Sequence, residues 1–391
     1  MEQISTKLDT RTGPALMSLA LGVFAVGTEG LVFAGLLPTL AADLDVSVAA
    51  AGQVTTVFAI AYTLAAPLLS VVTDTWPRRA ALLTGFTLLT AGNALSALAP
   101  SLGLLLCWRI ITAAGASLIT PTSLMVAATL VEPFRRARAI AVVMTGMTLA
   151  SAAGAPLGTL IGGALGWRAA IWTITALGLS AAIAVGFGIT RLPGRARQNL
   201  TTRLAPLRIP TIRRVLATTL IGFVAVYSFY TYVSVIYSPL TGNARFLALV
   251  LLVIGVAGIA GNFLAGNLTD RHGARPVVTL ALLITAIGTI AAGFAGTHVA
   301  ALITAAIYGG AAWSITGPQQ HRLLAADTGQ TGLPVALNSS ALYLAIAIAG
   351  ALGGTLGATG HWTLVGATAS IALIAAAVSY LADRPTTRAD T

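Results

Sequence analysis

The chain has 391 residues, 57% of them hydrophobic and only 8% charged, with a formal net charge of +11 and a mean hydropathy of +0.89. A soluble domain carries about 25% charged residues, so this composition excludes a soluble enzyme or binding module and specifies a polytopic membrane protein.

Apolar stretches of about 20 residues, each enough for one spanning helix, recur twelve times along the chain. They lie near 15–38, 49–72, 80–99, 102–127, 139–165, 169–190, 214–238, 246–268, 277–296, 299–321, 334–358 and 363–382. The first is too long for a signal peptide and has no clear cleavage site, so it is expected to be retained. A single cysteine, Cys107, excludes an intramolecular disulfide. With twelve spans and both termini cytoplasmic, nineteen of the twenty-two Lys and Arg residues fall on the cytoplasmic side. Arg168 and Arg245 fall on the other side, and Arg109 lies within a span. This is the positive-inside pattern, and it argues against a nucleic-acid surface. The stretch 191–213 is basic, contains no acid and holds three prolines. It is read as a cytoplasmic linker lying against anionic lipid, between a six-helix half at 1–190 and a second at 214–391.

In helix 1 a carboxylate, Glu29, stands in the middle of an apolar run. The other ten acids all fall in tails, loops or helix ends. A charged acid at the bilayer centre costs about 2.5–3.5 kcal/mol on insertion scales. Burial disfavours the anion and a nearby cation favours it, and a carboxyl balanced between the two can load a proton from one side and release it to the other. Gly22 and Ala25 lie below it on the same helical face and leave room for water or substrate. Glu29 is therefore read as a proton carrier; the alternative is a neutral carboxyl hydrogen-bonded to a neighbouring helix. Arg109 lies about 10 Å below the outer boundary of helix 4, and Glu29 about 13 Å below the same boundary, at about 1.5 Å per residue. The matching depth permits an interaction; Arg109 could equally bond backbone carbonyls and hold helices together. Helix 5 carries small residues at Gly146, Ala150, Gly154, Gly158 and Gly162, a stripe that permits close helix approach. Pro156 removes a backbone donor within it and permits a kink.

Two short loops resemble one another, "TDTWPRR" from Thr73 and "TDRHGAR" from Thr269. Asp74 and Asp270 are 196 residues apart, and the same shift carries Gly154 to Gly350 and Gly158 to Gly354. Such an offset indicates duplicated halves with a substrate site at their interface.

The ordered set "GLLPTLAADLDVS", "GQVTTVFAIAYTLAAPLLS", the two Asp–Arg loops, Arg109, "GAPLGT" with "GWR", "YTYVSVIYSPLTG" and "LNSSALYL" covers nearly the whole chain. It resembles the major facilitator superfamily, in particular the twelve-helix drug–proton antiporters and their sugar, nucleoside and amphenicol efflux branch. The resemblance implies an all-α membrane protein with twelve transmembrane helices in two pseudo-symmetric six-helix halves. It implies a proton-supporting role for Arg109, and sealing of the outer path by "GAPLG", with ordinary helix packing as the alternative. It implies that Asp74, Arg78 and Arg79, with Asp270, Arg271 and Arg275, latch the halves, a solvated charge cluster being the alternative. On helices that line the cavity in relatives stand Tyr62, Tyr227, Tyr230, Tyr232, Trp313, Gln319, Asn338 and Tyr343, each as consistent with packing as with substrate contact. There are two departures: Trp76 and Pro77 replace the usual Gly of the first loop, and Gly30 stands where many relatives carry a second acid.

Together these features point to a monomeric, proton-coupled exporter of a small neutral or zwitterionic organic molecule in the inner (cytoplasmic) membrane, with protons as coupling ion and no cofactor. An uncoupled facilitator and a non-transporting sensor or scaffold are the alternatives. No nucleotide-binding loop or metal cluster is visible in the sequence, which argues against an ATP-driven pump.

Overall fold

The computed structural model describes residues 12–132, 135–189, 192–193, 204–237, 240, 242–327 and 333–381. Among them twelve helices are long and apolar enough to cross a membrane. They are α1 (Thr12–Asp43), α2 (Val48–Thr73), α3 (Arg78–Ala97), α4 (Leu102–Thr129), α5 (Arg138–Leu165), α6 (Trp167–Gly188), α7 (Pro210–Thr231), α8 (Ala244–His272), α9 (Ala274–Gly293), α10 (His298–Ala326), α11 (Leu333–Ala358) and α12 (His361–Leu381). No strand occurs among the described residues. α7 starts at Pro210, inside the stretch read as linker, of which residues 191 and 194–203 lie outside the described residues.

The helix boundaries have local causes. The Ser47 hydroxyl accepts from the Ala50 amide at 3.1 Å and caps α2; Thr297 does the same for α10 with Ala300 at 3.2 Å. Between α8 and α9 the chain turns at Gly273 with φ of +82°, a left-handed conformation that favours glycine. The matching turn between α2 and α3 has Pro77 in its place, which fixes an extended entry into α3.

The repeat extends to every helix of the bundle. α3 spans Arg78–Ala97 and α9 spans Ala274–Gly293, so a shift of 196 carries both ends of one onto the other (78 to 274, 97 to 293). The same shift carries the starts of α2 and α4 onto those of α8 and α10. α1 and α7, equivalent under it, are the two most enclosed spans.

Two helices depart from simple continuity. In α5, residues Ala150–Gly154 form a π turn in which the Ala155 amide reaches back to the Ala150 carbonyl. Pro156 has no amide to continue the regular ladder, and the wider turn re-closes it. α7 breaks at Tyr232 and resumes as a short helix, Val233–Ile236, a break the apolar run 214–238 conceals.

The small-residue stripe of α5 packs along α1. A methyl placed on Gly146 would meet the Ala20 carbonyl; on Gly154, the Thr28 side chain; on Gly158, Val32; on Gly162, Leu36. Ala150 itself meets Gly27. The two helices interlock residue by residue, as small-xxx-small contacts allow. Contacts between the halves gather toward the end of the bundle where α1 turns into α2: Gly52 against Tyr232, Gly163 against Ala244, Gly354 against Ala49, and deeper in, Gly255 against the Ser151 backbone.

Gly146→Ala should destabilise the protein more than Gly158→Ala, because the first meets a backbone carbonyl and the second a side-chain methyl that can rotate away. Overpacking of this kind costs about 1–3 kcal/mol. The comparison is read from thermal unfolding midpoints in detergent; equal midpoints would show that the stripe does not set the α1–α5 distance.

Candidate functional site

Glu29 and Phe33 are four residues apart on α1 and therefore share one face; Val54 and Phe58 stand in the same relation on α2. α3 and α4 approach closely because Gly92 lies against the Thr112 backbone and Gly115 against that of Leu88 and Leu89. These four helices converge on one polar centre inside an apolar bundle.

At that centre Glu29 is fully buried and Arg109 is 1% exposed. The Arg109 Nη1 pairs with Glu29 Oε1. The second carboxylate oxygen, Oε2, accepts from Asn93 Nδ2 at 2.8 Å. Arg109 Nε is 3.5 Å from the Val54 carbonyl oxygen. The guanidinium also lies over two rings, Phe33 at 4.3 Å and Phe58 at 4.4 Å from the centroids. A cation held by an anion on one edge and aromatic rings on its face is well compensated for its loss of water. Arg109 thus meets a carboxylate, a carbonyl and two rings together, so its interaction with Glu29 and its bond to a backbone carbonyl are made by the same guanidinium. The room expected at Gly22 is absent: the Phe86 ring fills it. Gly30, by contrast, faces open space.

Phe58 joins this centre to an aromatic interface between the halves. Its ring centroid is 6.3 Å from that of Tyr62 and 6.5 Å from that of Tyr343. Tyr62 of α2 and Tyr343 of α11 stack at 3.5 Å across the two halves. Tyr227, Tyr230 and Trp313 form a second group with centroids 6.0–6.2 Å apart. The Tyr230 hydroxyl and Trp313 Nε1 are buried without a hydrogen-bond partner.

The remaining candidates are engaged elsewhere. Tyr232 donates to the Gly350 carbonyl at 2.8 Å and wedges against Gly52, Gly353 and Gly354, in the contact between halves. Gln319 Nε2 donates to the Val215 carbonyl and to Thr219 Oγ1, while Arg322 donates to Gln319 Oε1. Asn338 Oδ1 accepts from Thr219 at 2.8 Å. Both amides therefore tie α7, α10 and α11 together. Gly154, Pro156 and Gly158 lie at the π turn and along the α1 contact described above. Arg79 donates to the Gly186 carbonyl at the end of α6, and Arg275, 196 residues later, donates to the Tyr380 carbonyl at the end of α12. Asp74 and Arg78 are buried at the α2–α3 turn, where the Arg78 amide donates to Leu192; Asp270 and Arg271 are exposed.

Asn93, Phe33, Phe58 and Thr219 escaped the sequence reading. For Asn93 a signal exists: an amide deep in span 3 is a polar group inside an apolar run, as Glu29 is, but it carries no charge to set it apart.

The sequence profile described as Major Facilitator Superfamily matches residues 19–258 and 219–391. The chain is 31% identical over 342 residues to the inner membrane transport protein YdhP of Escherichia coli K12, covering 87% of this chain and 88% of that one. It is 31% identical over 378 residues to a chloramphenicol resistance protein of Streptomyces lividans, covering 92% and 95% of the two. Its fold matches the crystal structure of a bacterial homologue of the human lysosomal transporter Spinster, captured inward-facing and unoccupied, with a TM-score of 0.77 and 17% identity over 96% of this chain and 98% of that one. At that identity the likeness is one of fold alone.

Arg109→Ala should leave a buried carboxylate unpaired and cost about 3–5 kcal/mol of stability. Adding Glu29→Gln should recover much of the loss, and Arg109→Lys should fall between, since an ammonium cannot lie flat between Phe33 and Phe58. Unfolding midpoints of the three variants test this. A double variant no more stable than Arg109→Ala would show that the two side chains are not electrostatically coupled.

Proposed function

Because the chain belongs to the major facilitator superfamily, whose members are membrane transporters and not enzymes, we propose that it is a proton-coupled antiporter exporting a small neutral or zwitterionic organic molecule by alternating access. On this reading it works as a monomer in the inner (cytoplasmic) membrane with both termini cytoplasmic, an orientation supported by the basic loops and a location supported by the YdhP likeness.

The observation that carries the proposal is the enclosed pair of Glu29 and Arg109. An embedded ionisable pair is costly, and in a transporter it marks an ion path by default. In the anionic state Glu29 neutralises Arg109. A proton arriving on the carboxyl removes that neutralisation, leaving the guanidinium to Phe33, Phe58 and the Val54 carbonyl. An uncompensated buried charge is worth several kcal/mol, enough to bias a two-state bundle. Phe58 touches both the guanidinium and the Tyr62–Tyr343 stack, so the change of charge is delivered to a contact between the halves.

The substrate class follows from what the centre lacks. Glu29 is the sole acid embedded in a span, and it must become neutral in part of the cycle. Gly30 supplies no second carboxylate to hold a cation through that step. The aromatic groups around Tyr62, Tyr227, Tyr230 and Trp313 suit a small amphiphile, and the likeness to a chloramphenicol resistance protein supports an uncharged one.

Glu29→Gln should abolish export driven by a pH gradient while leaving substrate exchange across the membrane intact, because the amide keeps the shape and cannot release a proton. Gradient-driven export at the wild-type rate would refute the carrier role. Exchange of one proton for one neutral molecule moves charge, so export should respond to voltage as well as pH. At about 2.3 kcal/mol per charge per 100 mV, a total force near 150 mV supplies roughly 3.5 kcal/mol and sustains a gradient of a few hundredfold. Proteoliposomes loaded with labelled chloramphenicol, with pH and potential clamped separately, read this directly; voltage-insensitive export would contradict the one-carboxylate scheme.

A further inference from the structure

The proton-carrier reading requires that Glu29 be satisfied in two protonation states, and the structure holds one group able to serve both. We propose that Asn93 is a positioning residue that hydrogen-bonds Glu29 as an anion through Nδ2 and as an acid through Oδ1, by turning its amide over. The inference rests on the proton-coupling proposal and adds a third residue to the centre.

Asn93 is fully buried on α3, and its Nδ2 donates to Glu29 Oε2 at 2.8 Å. Its Oδ1 is equally buried and has no hydrogen-bond partner. A buried acceptor left unpaired carries a free-energy cost, so its retention calls for an account. Arg109 occupies Glu29 Oε1 and donates only, which leaves Oε2 as the oxygen that takes the proton. Once protonated, Oε2 becomes a donor and faces another donor, Asn93 Nδ2. Rotation of the amide by half a turn about its last bond brings Oδ1 to the same place and restores the hydrogen bond. A carboxamide can do this without moving its backbone; an aliphatic residue cannot do it at all.

The surroundings leave few other partners. Of the charged side chains on α2, α3, α4, α5, α6, α7 and α8, the helices that meet α1, Arg109 is the one in contact with Glu29 among the described residues. The other charged residues of those spans stand at helix ends, and Cys107 on α4 is exposed. The phenols of Tyr62 and Tyr343 lie beyond Phe58, with those of Tyr227 and Tyr230 in the neighbouring aromatic group. Under the shift of 196, Glu29, Arg109 and Asn93 fall on Ala225, Ala305 and Thr289. The amide is thus present in the half that has the ion pair and absent from the half that lacks it.

The first readout is spectroscopic and needs no substrate. Infrared difference spectra of the full chain in detergent, recorded between acid and alkaline pH, contain the carbonyl band of each protonated carboxyl, and the band lost in Glu29→Gln is that of Glu29. In Asn93→Leu this band should shift to higher wavenumber, as an acid losing its hydrogen-bond acceptor does. In Asn93→Ser, whose hydroxyl both donates and accepts, it should return toward the wild-type position. pH-driven export of labelled chloramphenicol from proteoliposomes should fall by about tenfold in Asn93→Leu, the scale of one buried hydrogen bond, and by less in Asn93→Ser. Gel filtration of both variants checks folding, and the serine variant carries the test if the leucine variant does not fold. An unshifted Glu29 band in Asn93→Leu, or in Asn93→Ser a band as far shifted as a partnerless acid, would overturn the role of Asn93 while leaving Glu29 as carrier. Absence of any Glu29-dependent band across the whole pH range would overturn both.

Discussion

The structure depends on placing one carboxylate and one guanidinium together where water is excluded. Neither charge is tolerable there alone, and each is the main reason the other can stay. The rest of the N-terminal half is arranged to make that meeting tight. α3 and α4 close on each other through glycines at Gly85, Gly92 and Gly115, and α5 closes on α1 through Gly146, Gly154, Gly158 and Gly162. Without a hydrophobic force between helices in lipid, such close backbone approach is what associates them. The glycines are therefore the mechanical support of the ion pair, although only the centre carries charge.

The two halves share a backbone plan and differ in chemistry. The shift of 196 superimposes helix starts across the chain, yet it places Ala225 and Ala305 where Glu29 and Arg109 stand. The C-terminal half spends its buried polarity differently, in the chain of Thr219, Asn338, Gln319 and Arg322 that binds α7, α10 and α11. Every side chain in that chain bears a donor or acceptor answered by another, which gives a rigid body. One half carries a centre proposed to titrate, and the other is fastened by uncharged amides and a hydroxyl around one arginine.

Much of this was legible in the sequence, and the gaps have physical causes. Hydropathy alone locates twelve spans, because a bilayer imposes both length and apolarity. Glu29 and Arg109 stand out because charge inside a span is rare, and depth arithmetic brings them to one level. Asn93 did not stand out, since an amide is cheap enough in a membrane helix to pass without notice. Which polar residues face a cavity and which fasten helices depends on helix rotation, and a stripe of mixed Ala, Gly and Leu does not fix rotation. Gln319 and Asn338 stayed open between substrate contact and packing for that reason, and in the structure both hydrogen-bond between helices. The break at Tyr232 was hidden because neither Gly nor Pro marks it. The π turn was half legible: Pro156 announces a disturbed ladder, but not whether the helix answers by kinking or by widening.

The distribution of strong and weak contacts says how such a bundle can move. Both ion pairs among the described residues, Glu29 with Arg109 and Asp43 with Arg168, lie inside the N-terminal half. The arginines of the repeated loops also bind within their own halves, Arg79 to the end of α6 and Arg275 to the end of α12. Among the described residues, contacts that cross between the halves include glycines against backbone, Tyr232 wedged among Gly52, Gly353 and Gly354, and the stack of Tyr62 on Tyr343. Charged hydrogen bonds are short, directional and costly to break, whereas each van der Waals contact of a ring or a glycine is individually weak. Two bodies stiffened internally and joined by contacts of that sort fit the alternating access proposed above, in which each half would move as a unit. Phe58 is the exception that matters, since it touches the charged centre of one body and the ring stack that joins it to the other. On the proposed reading, a change of charge at Glu29 would reach the joint through that ring, without having to disturb the contacts that keep each half intact.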